Sequence, residues 1–311
     1  MRVPTNALPN SLVVQLRQLT EKQNRLQTQA ATGQRLQWAD DDPAAMERAL
    51  GLQTVRRAND QYTKNIDFLK ERTTASVSSI RSLNKILDRA NELAVLADGT
   101  KSPAQLRDYA GEVDQLIRQA VQTGNVKHRS DYIFGGTKSD RPPFVVTENA
   151  DGKVGKVDFN GNSDVPELEI AEGSKIPMQI SGVNASGTGS SGLFSDSRAG
   201  TDVFAHLIAF RDHLAAGDVG AVASTDRPGL VQDEDNVLYG LASVGASQAR
   251  LESASSAVRN RSSELRQSLT EATGADMAQT LVQLSATQTA YRAALQSGAN
   301  LLGVSLMDYL R

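Results

Sequence analysis

The chain of 311 residues contains no cysteine. That excludes disulfides, cysteine-ligated metals and thiol catalysis together, and it suits a chain that crosses between redox compartments unfolded. Aromatic residues are scarce as well, at 5% beside a hydrophobic share of 39%. Such a balance favours long helices over an aromatic-rich globular core. No stretch approaches the roughly 20 apolar residues of a membrane span. Met1 to Asn6 lack the charged and then apolar sequence of an ordinary signal peptide. A net charge of −3 with no basic stripe argues against phosphate-backbone binding. These absences predict no nucleic-acid partner and no membrane insertion, in a chain long enough for two or three domains.

What is present is a pattern shared by the two ends. Leu12, Leu16, Leu19, Gln23, Leu26, Ala30 and Gly33 alternate steps of four and three. Met277, Leu281, Leu284, Gln288, Tyr291, Leu295, Gly298 and Leu302 do the same, and Leu306 extends the line. This spacing builds one narrow apolar seam along a helix, the kind that docks on a partner helix. A stripe so narrow cannot bury itself, and Gln23, Gln288, Gly33 and Gly298 weaken it further. The two terminal seams are therefore expected to close on each other or on neighbouring subunits, and to gain order from assembly.

Between the ends the spacing predicts longer rods. Asp42 before Pro43 reads as a carboxylate N-cap followed by proline at the first helical position. A seam then runs Leu52, Val55, Asn59, Tyr62, Ile66, Leu69, Thr73, Ser76, Ile80, Leu83, Leu87, Ala90 and Ala94, roughly 65 Å of helix at 1.5 Å per residue. Asp98-Gly99 closes it. Ser102-Pro103-Ala104-Gln105 opens a third helix with a capping box, carrying Leu106, Tyr109, Val113, Leu116 and Ala120 on one face. The period then changes to two: Phe144–Thr147, Val154–Phe159, Glu167–Ala171 and Ile176–Ser181 read as strands, and Val183–Gly192 as a Gly/Ser-rich loop. Helical spacing resumes after Thr201-Asp202 in a short helix ending at Gly217. A last rod follows through Val237, Leu241, Val244, Gln248, Leu251, Ser255, Val258, Ser262, Leu265 and Leu269, and Thr273-Gly274-Ala275 interrupts it.

Candidate chemistry dissolves on inspection. In His128-Arg129-Ser130-Asp131 adjacent side chains point in different directions, so the residues read as loop polarity and not as a triad. His206 and His213 lie two turns apart on one helix, too far for one metal, and read as a solvated face. Asp40-Asp41-Asp42 suits the positive end of a helix. Gly135-Gly136-Thr137 and Gly187–Gly192 lack the Gly-Lys-Ser/Thr ending of a phosphate loop. Glu167 and Glu169 share a strand face and read as exposed acids. Trp38, the single tryptophan, reads first as a local hydrophobic anchor and second as a wedge between subunits. No catalytic residue, metal or cofactor is predicted.

Several stretches resemble the flagellin superfamily. They are Arg2-Val3-Pro4-Thr5-Asn6, Gly33-Gln34-Arg35-Leu36 and Asp41-Asp42-Pro43-Ala44-Ala45. Within that superfamily the chain is similar to the hook-associated branch found at the junction of hook and filament. Pro43 after the acidic pair, Asp131–Thr137 followed by Pro142-Pro143-Phe144, and the ending Leu284 to Tyr291 with Ser305 to Leu310 carry that likeness. The resemblance implies a mainly α fold with a β-rich insertion. Long antiparallel, coiled-coil-like rods would come from the N- and C-terminal halves. Terminal helices 1–33 and 277–311 would form an inner assembly domain through Leu12, Leu16, Leu19, Leu26, Met277, Leu281, Leu284, Tyr291, Leu295, Leu302 and Leu306. Residues 34–139 and 201–276 would form the rods, entered through a linker marked by Trp38, Asp42, Pro43 and Gly274, and 140–200 would project outward. The implied partners are hook-associated protein 1, flagellin, copies of the chain in a ring, and a cytoplasmic export chaperone on the C-terminal helix. Export through the flagellar type III channel to the extracellular flagellum is also implied. Filament flagellin is the nearest alternative, and a cytosolic helical signalling adaptor the alternative of a different class.

Overall fold

The structure is a computed structural model. It describes residues 7–38 and 40–309, with side chains described for 11–38 and 40–300. The Arg2–Asn6 stretch, Leu310, and the side chains of Leu302 and Leu306 lie outside the described residues. Helices α1 (Ala7–Thr32), α2 (Pro43–Leu96) and α3 (Pro103–Gly124) precede the strands. After them come α4 (Val203–Ala216), the single turn α5 (Val219–Ala221), a π-helical turn (Val222–Asp226), α6 (Arg227–Thr273) and α7 (Met277–Tyr309). Clustering of contacts gives two compact units: residues 1–58 with 261–311, and residues 59–260.

The helix ends sit where local chemistry places them. Gly33 takes φ 69° just past α1, and its N–H donates to the Gln29 carbonyl at 2.8 Å, the left-handed C-terminal stop for which glycine is suited. Asp42 caps α2 by accepting the Ala45 N–H at 3.0 Å. In the capping box of α3, Ser102 Oγ accepts from Gln105 N at 3.3 Å and Gln105 Oε1 accepts from Ser102 N at 2.9 Å. Of the seam predicted along α2, Val55 alone is exposed. Along α6 the exception is Gln248.

Within residues 59–260, α2, α3, α4 and the first half of α6 enclose one core. Its centre is aromatic: Phe144, Phe194 and Phe204 lie 4.7–5.4 Å apart by ring centroid, with Phe134 and Phe159 against them. Five of the seven phenylalanines of the chain thus occupy one cluster. The low aromatic share conceals a concentrated aromatic centre. Each such pair contributes about 0.5–1.5 kcal/mol beyond the area it buries.

The strands supply part of this core. β1 (Lys127–His128) and β2 (Asp131–Tyr132) form a small hairpin that the sequence does not announce, turning at Arg129 with φ 56°. His128 is therefore no loop residue; its ring meets Phe68 edge-on at 6.5 Å. β3 (Phe144–Glu148) and β4 (Val154–Phe159) pair antiparallel, as do β5 (Glu167–Ala171) and β6 (Ser174–Pro177). The β5–β6 hairpin does not stand off from the rods. Ile170 and Ile176 pack with Ile66, Leu69, Leu251 and Val258 in a second buried cluster. Glu169 is accordingly not a free acid: it accepts the Gly173 N–H at 3.0 Å, and its carbonyl accepts from Asn65 at 2.7 Å.

The predicted strand Ile176–Ser181 is in fact divided between β6 and β7 (Ser181–Asn184), and the predicted loop 183–192 is shorter. β7 pairs parallel with β8 (Gly192–Asp196), which pairs antiparallel with β9 (Thr201–Asp202). A parallel pair ordinarily needs a long crossover. Here the buried Asn184 amide closes a short one, donating to the carbonyls of Thr188 (3.1 Å) and Ser190 (2.9 Å). Gly187 and Gly189 supply the positive φ the turn requires.

Two buried polar groups deserve separate description. Asn59, only 5% exposed in the α2 seam, donates its amide to the Val258 carbonyl of α6 at 3.1 Å. Arg211, 1% exposed on α4, donates to Asp114 of α3 at 2.9 Å, to the Val154 carbonyl and to Asp212. This is a permanently charged cation with its carboxylates in place.

Candidate functional site

The terminal seams meet. α1 and α7 pack antiparallel, and the linker segments beyond them run alongside each other. Arg35 N donates to the Thr273 carbonyl at 2.7 Å and Ala275 N to the Gly33 carbonyl at 2.9 Å, flanking a bridge between Gln34 and Gly274. On α1 the predicted stripe faces its partner. Leu26 is 5% exposed, and Leu12, Leu16, Leu19, Gln23 and Ala30 are half-buried.

On α7 the buried line differs from the predicted one. Thr280 and Thr287 are buried, with Leu284, Tyr291 and Ala294 half-buried and Gly298 buried. Gly298 admits the Leu12 side chain: a Cβ there would overlap it. The threonine hydroxyls are satisfied within the helix, Thr280 on the Asp276 carbonyl at 2.7 Å and Thr287 on that of Gln283 at 2.7 Å. Of the predicted seam residues, Leu284 and Tyr291 belong to the inner face. Met277, Leu281 and Leu295 do not. They are 41%, 52% and 46% exposed and lie on a flank that α1 leaves uncovered, because small residues at 280, 287, 294 and 298 draw the partner to their own side. Thr280, Thr287, Ala294 and Gly298, at steps of seven, seven and four and interleaved with Leu284 and Tyr291, were the available signal for this face.

The linker is held by charge-assisted bonds. Asp41 accepts N–H bonds from Gln37 (2.9 Å) and Trp38 (3.0 Å) and pairs with Arg25 at 2.6 Å. Asp42 caps α2 and pairs with Arg35 at 3.1 Å. Backbone N–H groups, reinforced by the arginines, hold both carboxyls below the usual range. The acidic run thus serves a turn and a cap, beyond the general preference of a helix N-terminus for negative charge. Gly274 has no room for a side chain, since a Cβ would press on the Thr270 carbonyl. Trp38 is not the local anchor expected: it is 70% exposed, while its backbone N–H is bound by Asp41.

The bacterial flagellin N-terminal helical region, as a family profile, matches residues 3–137, and the flagellin C-terminal helical region matches 235–310. Together they span more than half of the chain. The chain belongs to the flagellin superfamily. Among solved structures, this flagellin-superfamily chain is similar to a protein of Vibrio parahaemolyticus described as flagellar hook-associated. The TM-score there is 0.63 with 19% identity, over 75% of this chain and 100% of that one. It is also similar to FlgL of Bacillus cereus, with TM-score 0.56 and 20% identity over 71% and 99% of the two chains. FlgL of Xanthomonas campestris gives TM-score 0.58 and 17% identity over 72% and 99%. No curated protein sequence matches the chain. Its role is structural, in the bacterial flagellum, and the superfamily is not an enzymatic one. Membership implies self-assembly and association with other flagellar components. Among the described residues no helix is long and apolar enough to cross a membrane.

Proposed function

We propose that this chain forms the junction between hook and filament and presents the surface on which flagellin assembly starts. The observation that carries this reading is the fold. Hook-associated and FlgL chains align with it over essentially their whole length. In this reading helices 1–33 and 277–311 form the inner assembly domain, 34–139 and 201–276 the rods, and 140–200 the outer part. Copies of the chain close a ring, hook-associated protein 1 lies on one side of it and flagellin on the other. A cytoplasmic chaperone covers α7 before export through the flagellar type III route. The uncovered flank of Met277, Leu281 and Leu295 is the surface that neighbours take up. The chain performs no catalysis.

The test uses the purified full chain. It should not polymerise alone, but added to hook ends carrying hook-associated protein 1 it should permit flagellin to extend. Leu295→Asp, on the exposed flank, should abolish that extension while leaving the thermal unfolding of the monomer within about 0.5 kcal/mol of the parent, as for other exposed substitutions. Long filaments formed by the chain alone would instead identify it as filament flagellin.

A further inference from the structure

The two histidines of α4 are not on a solvated face. His206 Nδ1 lies 2.8 Å from Asp233 Oδ2 of α6, and His213 Nδ1 lies 2.9 Å from Asp226 Oδ2 at the end of the π-helical turn. The spacing is seven residues on each side, so the pairs form two rungs of one antiparallel register. Both carboxylates are buried, Asp233 at 0% and Asp226 at 3% exposure. Their other contacts are neutral or negative. Asp233 Oδ1 accepts the Asp202 N–H at 3.0 Å, the Asp202 carboxylate also faces His206, and Asp218 of the α5 cap faces Asp226. Gly229 of α6 makes room for the imidazole, its Cα bare against the His206 ring. Arg211, on the same helix, is committed to Asp114 and Asp212. Among the described residues, the cations paired with Asp226 and Asp233 are the two imidazoles, and their charge depends on a proton.

We propose that the His206–Asp233 and His213–Asp226 rungs form a proton-dependent clasp that fastens α4 to the π-helical turn and the start of α6. A buried carboxylate is costly unless paired with a charge, so losing the imidazolium proton loosens this corner. The bond to Asp233 holds the His206 imidazolium above the ordinary histidine value of 6.5, against the opposing effect of burial. Burial pushes the Asp226 and Asp233 carboxyls up as well, against the pull of the histidines. All three groups hold a proton more firmly in the folded chain. The His206 contribution is thus complete below about pH 6.5 and is lost as pH rises through its higher folded-state value. The clasp is separate from the assembly surface and does not rest on the junction reading.

The experiment is amide hydrogen exchange on the full chain between pH 6 and 9, corrected for the intrinsic pH dependence. Protection of 203–216 and 222–235 should be progressively lost across that range. Residues around Asp114 and Val154, tied to the permanently charged Arg211, should stay level. In His206→Gln/His213→Gln the profile over the α4 corner should be flat. Parallel profiles in parent and variant would overturn the clasp. Should the variant fail to fold, the imidazole resonances of the parent decide: a His206 midpoint at or below 6.5 would overturn the proposal, and one above it upholds it.

Discussion

The α1–α7 pair and the aromatic core of residues 59–260 are built on the same helical spacing, yet they bury different things. The terminal pair encloses half-buried leucines, two threonines, an alanine and a glycine in a line one residue wide. The core encloses Phe134, Phe194 and Phe210 at 0% exposure, with a buried cation beside them. Periodicity reports which face of a helix is covered. The size of the side chains on that face decides how much covering it is worth, since burial scales with apolar area. The terminal pair leaves an apolar flank open, the state expected of a surface shaped for more than one neighbour.

The comparison is broken most strongly from the core side. Phe194→Ala removes the ring against which three others pack and should lower stability by about 3–5 kcal/mol, read as a shift of the denaturant midpoint. Leu19→Ala in the half-buried terminal seam should cost a small fraction of that. A loss of equal size at both sites would show that the two regions are energetically alike. From the terminal side, Gly298→Leu forces a side chain into the space held by Leu12 and should cost about 1–3 kcal/mol by overpacking. Faster amide exchange confined to α1 and α7 is the expected signature; faster exchange in α3 or α4 would contradict it. The smallest effect belongs to the linker. Asp42→Ala removes the cap of α2 and should lower the stability of the helix start by less than Phe194→Ala or Gly298→Leu. Its stabilising effect in the parent is present above the ordinary carboxylate value of 3.8 and is lost as pH falls through the lower folded-state value. Acid titration of helix content should therefore converge for parent and variant.

Much of this was legible in the residues. The seam of α2, the capping box of Ser102, the stop at Gly33 and the hairpin of β3 and β4 follow from spacing and turn chemistry alone. Where the reading failed, the cause was tertiary. The threonines of α7 look polar in sequence and become a buried face because their hydroxyls bond back within the helix and their small bulk admits α1. His206 and His213 look like a polar face until α6 brings Asp233 and Asp226 against them. The parallel pairing of β7 with β8 is closed by a single buried asparagine within a Gly/Ser-rich stretch, and the exposure of Trp38 has no signal in the residues around it.

Asn59 gives the rods a mechanical property. Where Ile66 and Leu69 of α2 meet Leu251 and Val258 of α6, sliding by a turn would set one aliphatic side chain against another. The amide of Asn59 has no such substitute: displaced by a turn of about 5.4 Å, it loses the Val258 carbonyl and stays buried without a partner, at a cost of about 1–3 kcal/mol. It acts as a pawl between two racks. The pair therefore resists shear at this point with one indexed position.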